Sequence, residues 1–416
     1  MALRATLHQA GAAALTQLLQ FAEPAAAQRT IPCPCGHQAQ YRERRSRRVL
    51  TALGEAEVTR PWYLCSYCHQ GQMPADRELD IQNTDFSPGV RRMQALVGQQ
   101  GPFEQGREQI KLLAGLEVTA KSVERTAESI GADIAEREQR EIGQALQLDL
   151  PVLVSEPIPI LYVQMDGTGV PVVKKETEGH KGKTDGPPAH TREVKLGCVF
   201  TQTGWDLEGY AIRDPDSTTY TGAIETAEDF GKRLYREAWT RGWSRAQKKV
   251  VMGDGAEWIW NLADLHFSGA VQIVDLYHAR QHLWDVARRL YPNEASKQQA
   301  WMKAHQKKLL DKGKIEKLVL SLRGIASGNT EVLEKLRTEA DYFERNTERM
   351  RYPKFRRQHL FVGSGVIEAG CRTVIGSRLK QSGMFWTVRG SNAIIALRCS
   401  HLNGQFEGYW EGRRVA

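Results

Sequence analysis

Two apolar runs in this 416-residue chain end in the same way. "LYVQMDGTGV" (Leu161 to Val170) runs into Asp166 and Gly167, and "KKVVMGDGAEWIW" runs into Asp254 and Gly255. Apolar residues without strict alternation predict strands buried on both faces, as in an α/β protein. Ending such a strand on a charge is costly, because a buried carboxylate without a partner or a cation is unfavourable. The flanking segments fit this reading. "PILYVQMDGTGVPVV", "REVKLGCVFTQT" and "LEGYAIRDPDSTTYT" predict strands, and "AIETAEDFGKRLYREAWTRGW" predicts a helix. A further strand ends at Asp254, and "AVQIVDLYHARQHLWDVARRL" goes from strand to helix. Three strands, helix, strand, helix predicts a mixed sheet. The segment "KKETEGHKGKTDGPPAH" between the first two strands predicts a polar loop.

Ligands of open α/β sheets gather at the carboxyl ends of the strands. Asp166 and Asp254 both fall there. On neighbouring strands they would repel and raise each other's pKa unless a divalent cation neutralised them. Oxygen-only ligation points to Mg²⁺ or Mn²⁺. A third carboxylate would complete a two-metal site for in-line displacement at phosphorus. Glu368 is the candidate, because the glycines and Ser364 of "GSGVIEAGCR" open a helix whose first turn presents it. Taken singly, each Asp reads as a turn cap; the pair in one α/β segment favours metal. Glu257 begins an ordinary helix, and Asp214 and Asp216 in "RDPDSTTY" read as turn formers.

Seven cysteines, four of them clustered, fit a reduced compartment with metal binding better than a disulfide framework. This predicts a cytoplasmic protein. Cys33, Cys35, Cys65 and Cys68 flank two strand-like runs joined at Leu53-Gly54-Glu55, the layout of a zinc ribbon. The Cys33-Pro34-Cys35 spacing is shorter than a usual knuckle, so His37 is an alternative ligand to one thiolate. Cys198, Cys371 and Cys399 read as core. No apolar run approaches the roughly 18–20 residues of a membrane helix. The opening "MALRATLHQAGAAALTQLLQFAEPAAAQ" imitates a leader, but His8, Gln9, Thr16, Gln17 and Gln20 interrupt it, predicting an amphipathic helix.

Net charge is +8, and residues 286–357 hold 18 Lys and Arg against 9 Asp and Glu, enough for the whole excess. This segment predicts basic helices that contact phosphates. Residues 1–150 are close to neutral, yet "YRERRSRR" concentrates Arg42, Arg44, Arg45, Arg47 and Arg48 beside the cysteines. Those arginines read either as a nucleic-acid grip or as a solvated face. Ser87 as cap, Pro88 in the first turn, Gly115 as stop and Thr119 as the next cap give a helix-turn-helix rhythm, with Lys121 on the second helix.

The stretches "YVQMDGTGVPVVKKETEGHKGK", "REVKLGCVFTQ", "VVMGDGAEWIWNLA", "IVDLYHARQHLW" and "GSGVIEAGCRTVIGSRLKQSGMFWT" resemble DDE transposases of bacterial insertion sequences. They look closest to the ISKra-four group, itself distantly similar to Mutator-like elements. The resemblance implies an α/β, RNase H-like mixed-sheet core with a mostly helical insertion, preceded by a zinc ribbon and a helix-turn-helix-like region. It implies that Asp166, Asp254 and Glu368 are a DDE triad holding two Mg²⁺ or Mn²⁺ ions. Asp275 and His278 match the place of a Cys/His pair that would orient the site from behind. Double-stranded DNA, at element ends and target, is the implied partner, with a homo-oligomer on DNA near the nucleoid.

The expected segments are an N-terminal helix (1–30), a zinc ribbon (31–84), a helical DNA-binding region (85–150), a core (157–284 and 358–403), a basic insertion (285–357) and a tail (404–416). Trp258, Trp260 and Trp386 are candidates for stacking on bases, Trp386 and Lys380 foremost. A same-fold alternative is a nuclease without joining activity. A different class is an inactive DNA-binding regulator, against which the three intact carboxylates count.

Overall fold

A computed structural model describes residues 2–147, 157–180 and 190–413. Part of the expected polar loop, residues 181–189, lies outside them, as do 148–156 and 414–416. The chain divides into two units, Met1–Ile134 with Gly404–Ala416, and Ala135–Asn403.

The first unit opens with helix α1 (Ala2–Leu18). A four-stranded antiparallel sheet follows: β1 (Thr30–Pro32), β2 (Gln38–Thr51), β3 (Gly54–Cys65) and β4 (Gly71–Gln72). The two central strands are 14 and 12 residues long. A two-residue turn joins them, since Thr51 still pairs with Gly54. Helix α2 (Pro74–Glu78) is fastened to β3 by a buried ion pair: Arg60 Nε lies 2.6 Å and Nη2 3.0 Å from the Asp76 carboxylate. Helix α3 (Pro88–Gln100) is capped by Ser87 with Pro88 in its first turn, as the sequence predicts. Helix α4 (Phe103–Ala114) ends on left-handed Gly115, and α5 (Ala120–Leu146) follows Thr119, whose hydroxyl accepts the Ser122 N–H at 3.0 Å. Residues 404–413 belong to the expected tail segment. They carry α16 (Phe406–Gly412), where the Tyr409 hydroxyl reaches Asp133 at 2.6 Å and Glu407 pairs with Arg92.

The second unit holds a five-stranded mixed sheet. Its strands are β5 (Ile158–Pro171), β6 (Thr191–Gln202), β9 (Thr219–Ala223), β10 (Ala246–Gly253) and β11 (Val271–Val274), in the spatial order β11-β10-β5-β6-β9. Strands β10 and β11 run parallel to β5, while β6 and β9 are antiparallel to their neighbours. A small hairpin, β7 (Gly204–Trp205) and β8 (Ala211–Ile212), sits between β6 and β9 in the chain. Leu161, Tyr162, Val163 and Met165 are fully buried, as the unalternated run predicts for a central strand. Helices α6 (Ala227–Thr240) and α7 (Glu257–His266) follow β9 and β10. From α8 (Leu276–Leu290) to α12 (Tyr352–Arg356) the chain is helical, through α9 (Ala295–Met302), α10 (Ile315–Arg323) and α11 (Thr330–Arg345). Helices α13 (Gly365–Gly370), α14 (Ser377–Leu379) and α15 (Val388–Leu402) complete the unit. Among the described residues, no helix is long and apolar enough to cross a membrane.

Candidate functional site

The thiols of Cys33, Cys35, Cys65 and Cys68 all lie within 4.8 Å of one another. Cys33 and Cys68 sulfurs are 3.5 Å apart, and those of Cys35 and Cys65 are 3.7 Å apart. Tetrahedral Zn–S bonds of about 2.3 Å require sulfurs about 3.8 Å apart, so the set fits a zinc ion. The two loops close alike despite their unequal spacing. The Cys33 N–H bonds the His37 carbonyl at 2.8 Å, and the Cys65 N–H bonds the Gln70 carbonyl at 3.1 Å. Amides of Cys68 and Tyr67 favour a thiolate and bring Cys65 down to about 6 despite burial. Both Cys33 and Cys35 belong to the set, which leaves His37 outside it; its ring stacks on Tyr67 at 3.8 Å.

Beside this cluster the five arginines of β2 divide. Arg47 is built into the ribbon: its guanidinium reaches the Ile81 and Thr84 carbonyls and Asp85. As a hand for DNA it is thereby spent. The other four are exposed. Arg45 lies over the Trp62 ring at 3.3 Å and bonds Glu43, and Arg48 pairs with Glu55 at 3.4 Å. Arg44 reaches Gln20 at 3.4 Å. In the helical region, Lys121 is exposed and pairs with Glu124, and Arg125 stands exposed one turn further along α5.

In the second unit, β5 does not end at Asp166 as the sequence suggests: it runs on to Pro171 against β6, whereas β10 ends at Gly253, just before Asp254. Met252 pairs with Gln164 as the last pair of the parallel ladder, two residues before Asp254 and Asp166 respectively. The Gln164 amide lies 3.2 Å from Met252 Sδ, and the two-residue period of β5 puts Asp166 on the face that bears Gln164. Asp166 is half-buried; its Oδ1 accepts the Gly167 N–H at 2.7 Å, and Cys371 Sγ lies 3.6 Å from its Oδ2. Burial pushes the Asp166 carboxyl up, and Asp254 adds to this against the Gly167 amide. Asp254 Oδ1 accepts the Ala256 N–H at 2.8 Å, so it is also the turn former that Asp-Gly suggests. Glu368 is exposed on α13, with Oε1 3.0 Å from the Ser364 hydroxyl.

The helix that carries Glu368 is held by side chains from the sheet. Its own cap residue, Ser364, makes no capping bond. Instead the Ser364 N–H donates to Asp275 Oδ2 at 2.5 Å, and the Ile367 N–H donates to Gln164 Oε1 at 3.1 Å. Asp275 also caps α8 through the His278 N–H, while its own N–H bonds the Gly253 carbonyl at 2.8 Å. Asp275 therefore links the end of β10 to the start of α13. Gly370 allows the close approach, because a Cβ there would stand 2.5 Å from Tyr220. Gln164 was missed by sequence reasoning, although its signal was present: one amide in an otherwise apolar run, two residues before Asp166. Cys371, expected in the core, instead touches Asp166; its spacing of three from Glu368 was the available sign.

The three carboxylates are not as tightly gathered as the thiols. Among the described residues, the thiols are the one group with three or more ligand atoms so close. As a donor set the carboxylates fit a hard divalent cation: they supply only oxygen, and a cation would offset both the burial that raises Asp166 and the lesser repulsion from Asp254. Lys380 stands at this end of the sheet, its ammonium on the Thr168 hydroxyl. Trp386 is corrected to a core group. It is buried, its indole N–H bonds the Leu379 carbonyl at 3.2 Å, and its backbone bridges to Pro171 and Val173. Its neighbour Phe385, 66% exposed, offers the open aromatic face. Trp260 is likewise buried, under Arg349. Trp258 packs beside Phe230 and Lys195. Glu257 opens α7, and Asp214 binds the Thr201 and Thr203 hydroxyls as a turn former.

No protein-family profile and no curated protein match this chain. Among solved structures, it is distantly similar to the Drosophila P element transposase strand transfer complex, at 10% identity and a TM-score of 0.26 over 82% of this chain and 83% of that one.

Proposed function

We propose that this protein is a DNA transposase of the DDE type, with an RNase H-like core, acting at the ends of an insertion sequence of the ISKra-four kind. The observation that carries the reading is the parallel pairing of β5 with β10, whose last pair, Gln164 with Met252, stands two residues before Asp166 on one strand and Asp254 after the other. Together with Glu368 they would hold Mg²⁺ or Mn²⁺. Bound there, the cations supply charge neutralisation for phosphodiester hydrolysis and strand transfer.

The chain's own groups do the holding and aiming. Gln164 and Asp275 fix the first turn of α13, and with it Glu368, against the strands that carry the aspartates. Lys380 is a cation for a DNA phosphate near Asp166, and the exposed Phe385 offers a stacking face. Arg42, Arg44, Arg45 and Arg48 on the ribbon, with Lys121 and Arg125 on α5, are the groups for gripping the element's terminal repeats. Exposed Lys303, Lys307, Lys308, Lys312, Lys314 and Lys317 on the helical insertion suit the phosphate backbone and make binding salt-dependent.

The test is incubation of the protein with Mg²⁺ or Mn²⁺ and DNA carrying the ends of its own element. Cleavage followed by joining to a target is expected. Cleavage without joining would give the nuclease instead, and binding without either would leave a regulator.

A further inference from the structure

Tyr342 lies on α11, in the middle of the basic insertion, yet its hydroxyl donates to the Asp254 carbonyl at 2.9 Å. The ring is buried and lies flat on His282 of α8, with centroids 4.0 Å apart. His282 is fixed in turn by Glu339, one turn earlier on α11, with Nδ1 2.6 Å from the carboxylate. Lys335 holds the other Glu339 oxygen. On the far side the tyrosine ring fills the space beneath Gly255, where φ is +97° and a Cβ would come within 2.6 Å of the ring. The Asp254-Gly255 turn thus rests on a side chain whose position is set wholly by the insertion and α8.

We propose that Tyr342 is a positioning residue for the metal site: it fixes the Asp254 backbone so that the carboxylate points at the cation, making the insertion part of the site. This rests on the reading of Asp254 as a metal ligand. Among the described residues, the bond from the Ala256 N–H is what orients the Asp254 side chain, so freedom in the turn becomes freedom in the carboxylate. A ligand that must be ordered when the ion binds gives weaker binding than one already ordered.

The experiment uses the full chain and Mn²⁺ alone, with bound ion followed by electron paramagnetic resonance and folding by thermal melting. Tyr342→Phe keeps the ring and removes only the hydroxyl. Binding of Mn²⁺ is expected to weaken about three- to tenfold, as for one lost hydrogen bond, with the melting temperature nearly unchanged. His282→Gln, which keeps a donor for Glu339 but removes the stacked ring, is expected to weaken Mn²⁺ binding to a smaller degree. Wild-type Mn²⁺ affinity in both variants would overturn the proposal, whether or not either melts lower. Asp254→Asn separates the two ideas. If it too binds Mn²⁺ like wild type, the metal-site reading itself fails; if it alone loses the ion, only the role of Tyr342 does.

Discussion

The two candidate metal sites are assembled in opposite ways. The four thiols come from two short loops at one end of one hairpin, and the fold alone brings them within 4.8 Å. The three carboxylates come from β5, the end of β10 and α13, separated in the chain by the whole helical insertion, and they stay further apart. Thiolates suit a small soft ion that they enclose at short sulfur–sulfur distances. Carboxylates at neutral pH repel, and each here turns to a donor of its own: Asp166 to Gly167, Asp254 to Ala256, Glu368 to Ser364. On the proposed reading, one site would be a closed structural one and the other would be completed by ions and substrate.

The sharpest way to break that contrast is to remove one carboxylate. Asp166→Ala, Asp254→Ala or Glu368→Gln should each cut DNA cleavage and joining by on the order of 10³-fold or more. Binding of end DNA should stay within a few-fold, and the unfolding temperature should not fall. Near-normal strand transfer in any of the three would remove that residue from the site. The thiols should behave in the reverse manner. Cys35→Ser or Cys65→Ser should lower zinc from about one ion per chain to near zero and loosen the ribbon, since structural zinc contributes folding energy directly. His37→Ala should leave the zinc content unchanged. A loss of zinc there would restore the histidine as a ligand.

A third substitution asks how much of the ribbon depends on metal at all. Arg60 and Asp76 form a buried bidentate pair that ties α2 to β3 without any ion. Removing one partner strands a buried charge, so Asp76→Asn should destabilise the first unit by about 3–5 kcal/mol, read by chemical denaturation of the zinc-loaded protein. Unchanged stability would mean that the cysteine site carries the ribbon by itself.

The difference between the sites also decides what could be read from the sequence. Local features were legible. The cysteine loops, the Ser87 and Thr119 caps, the Gly115 stop and the end of β10 before Asp254 are each written within a few residues, whereas β5 runs past its Asp-Gly to Pro171. Long-range partnerships were not. Gln164 stood out as an amide in an apolar strand, but its partner, the Ile367 N–H, lies 203 residues away. Tyr342 had no local mark, because its role depends on how α11 packs against the Asp254 turn. The arginine run shows the same limit from the other side. Its five members look equivalent in sequence, and only the β2 register and the segment from Ile81 to Asp85 single out Arg47 as structural.

The smallest predicted effect has an unusual sign. Burial, with the added repulsion of Asp254, raises the Asp166 carboxyl above its usual range in the metal-free fold. For a group whose folded pKa exceeds its unfolded one, the stabilising contribution is full below the unfolded pKa. It is lost as pH rises through the folded value. At neutral pH the ionised Asp166 therefore works against the empty fold, and Asp166→Asn should stabilise it by roughly 0.5–1 kcal/mol, a shift of about 1–4 °C in melting temperature. The gain should vanish when melting is repeated below about pH 3, where wild type holds the proton in both states. Saturating Mn²⁺ should reverse the order of the two proteins, because the ion stabilises only the chain that can bind it. No zinc-site substitution should share this behaviour. If Asp166→Asn instead lowered the melting temperature without metal, as loss of a cysteine should, the carboxylate would be part of the fold's own support.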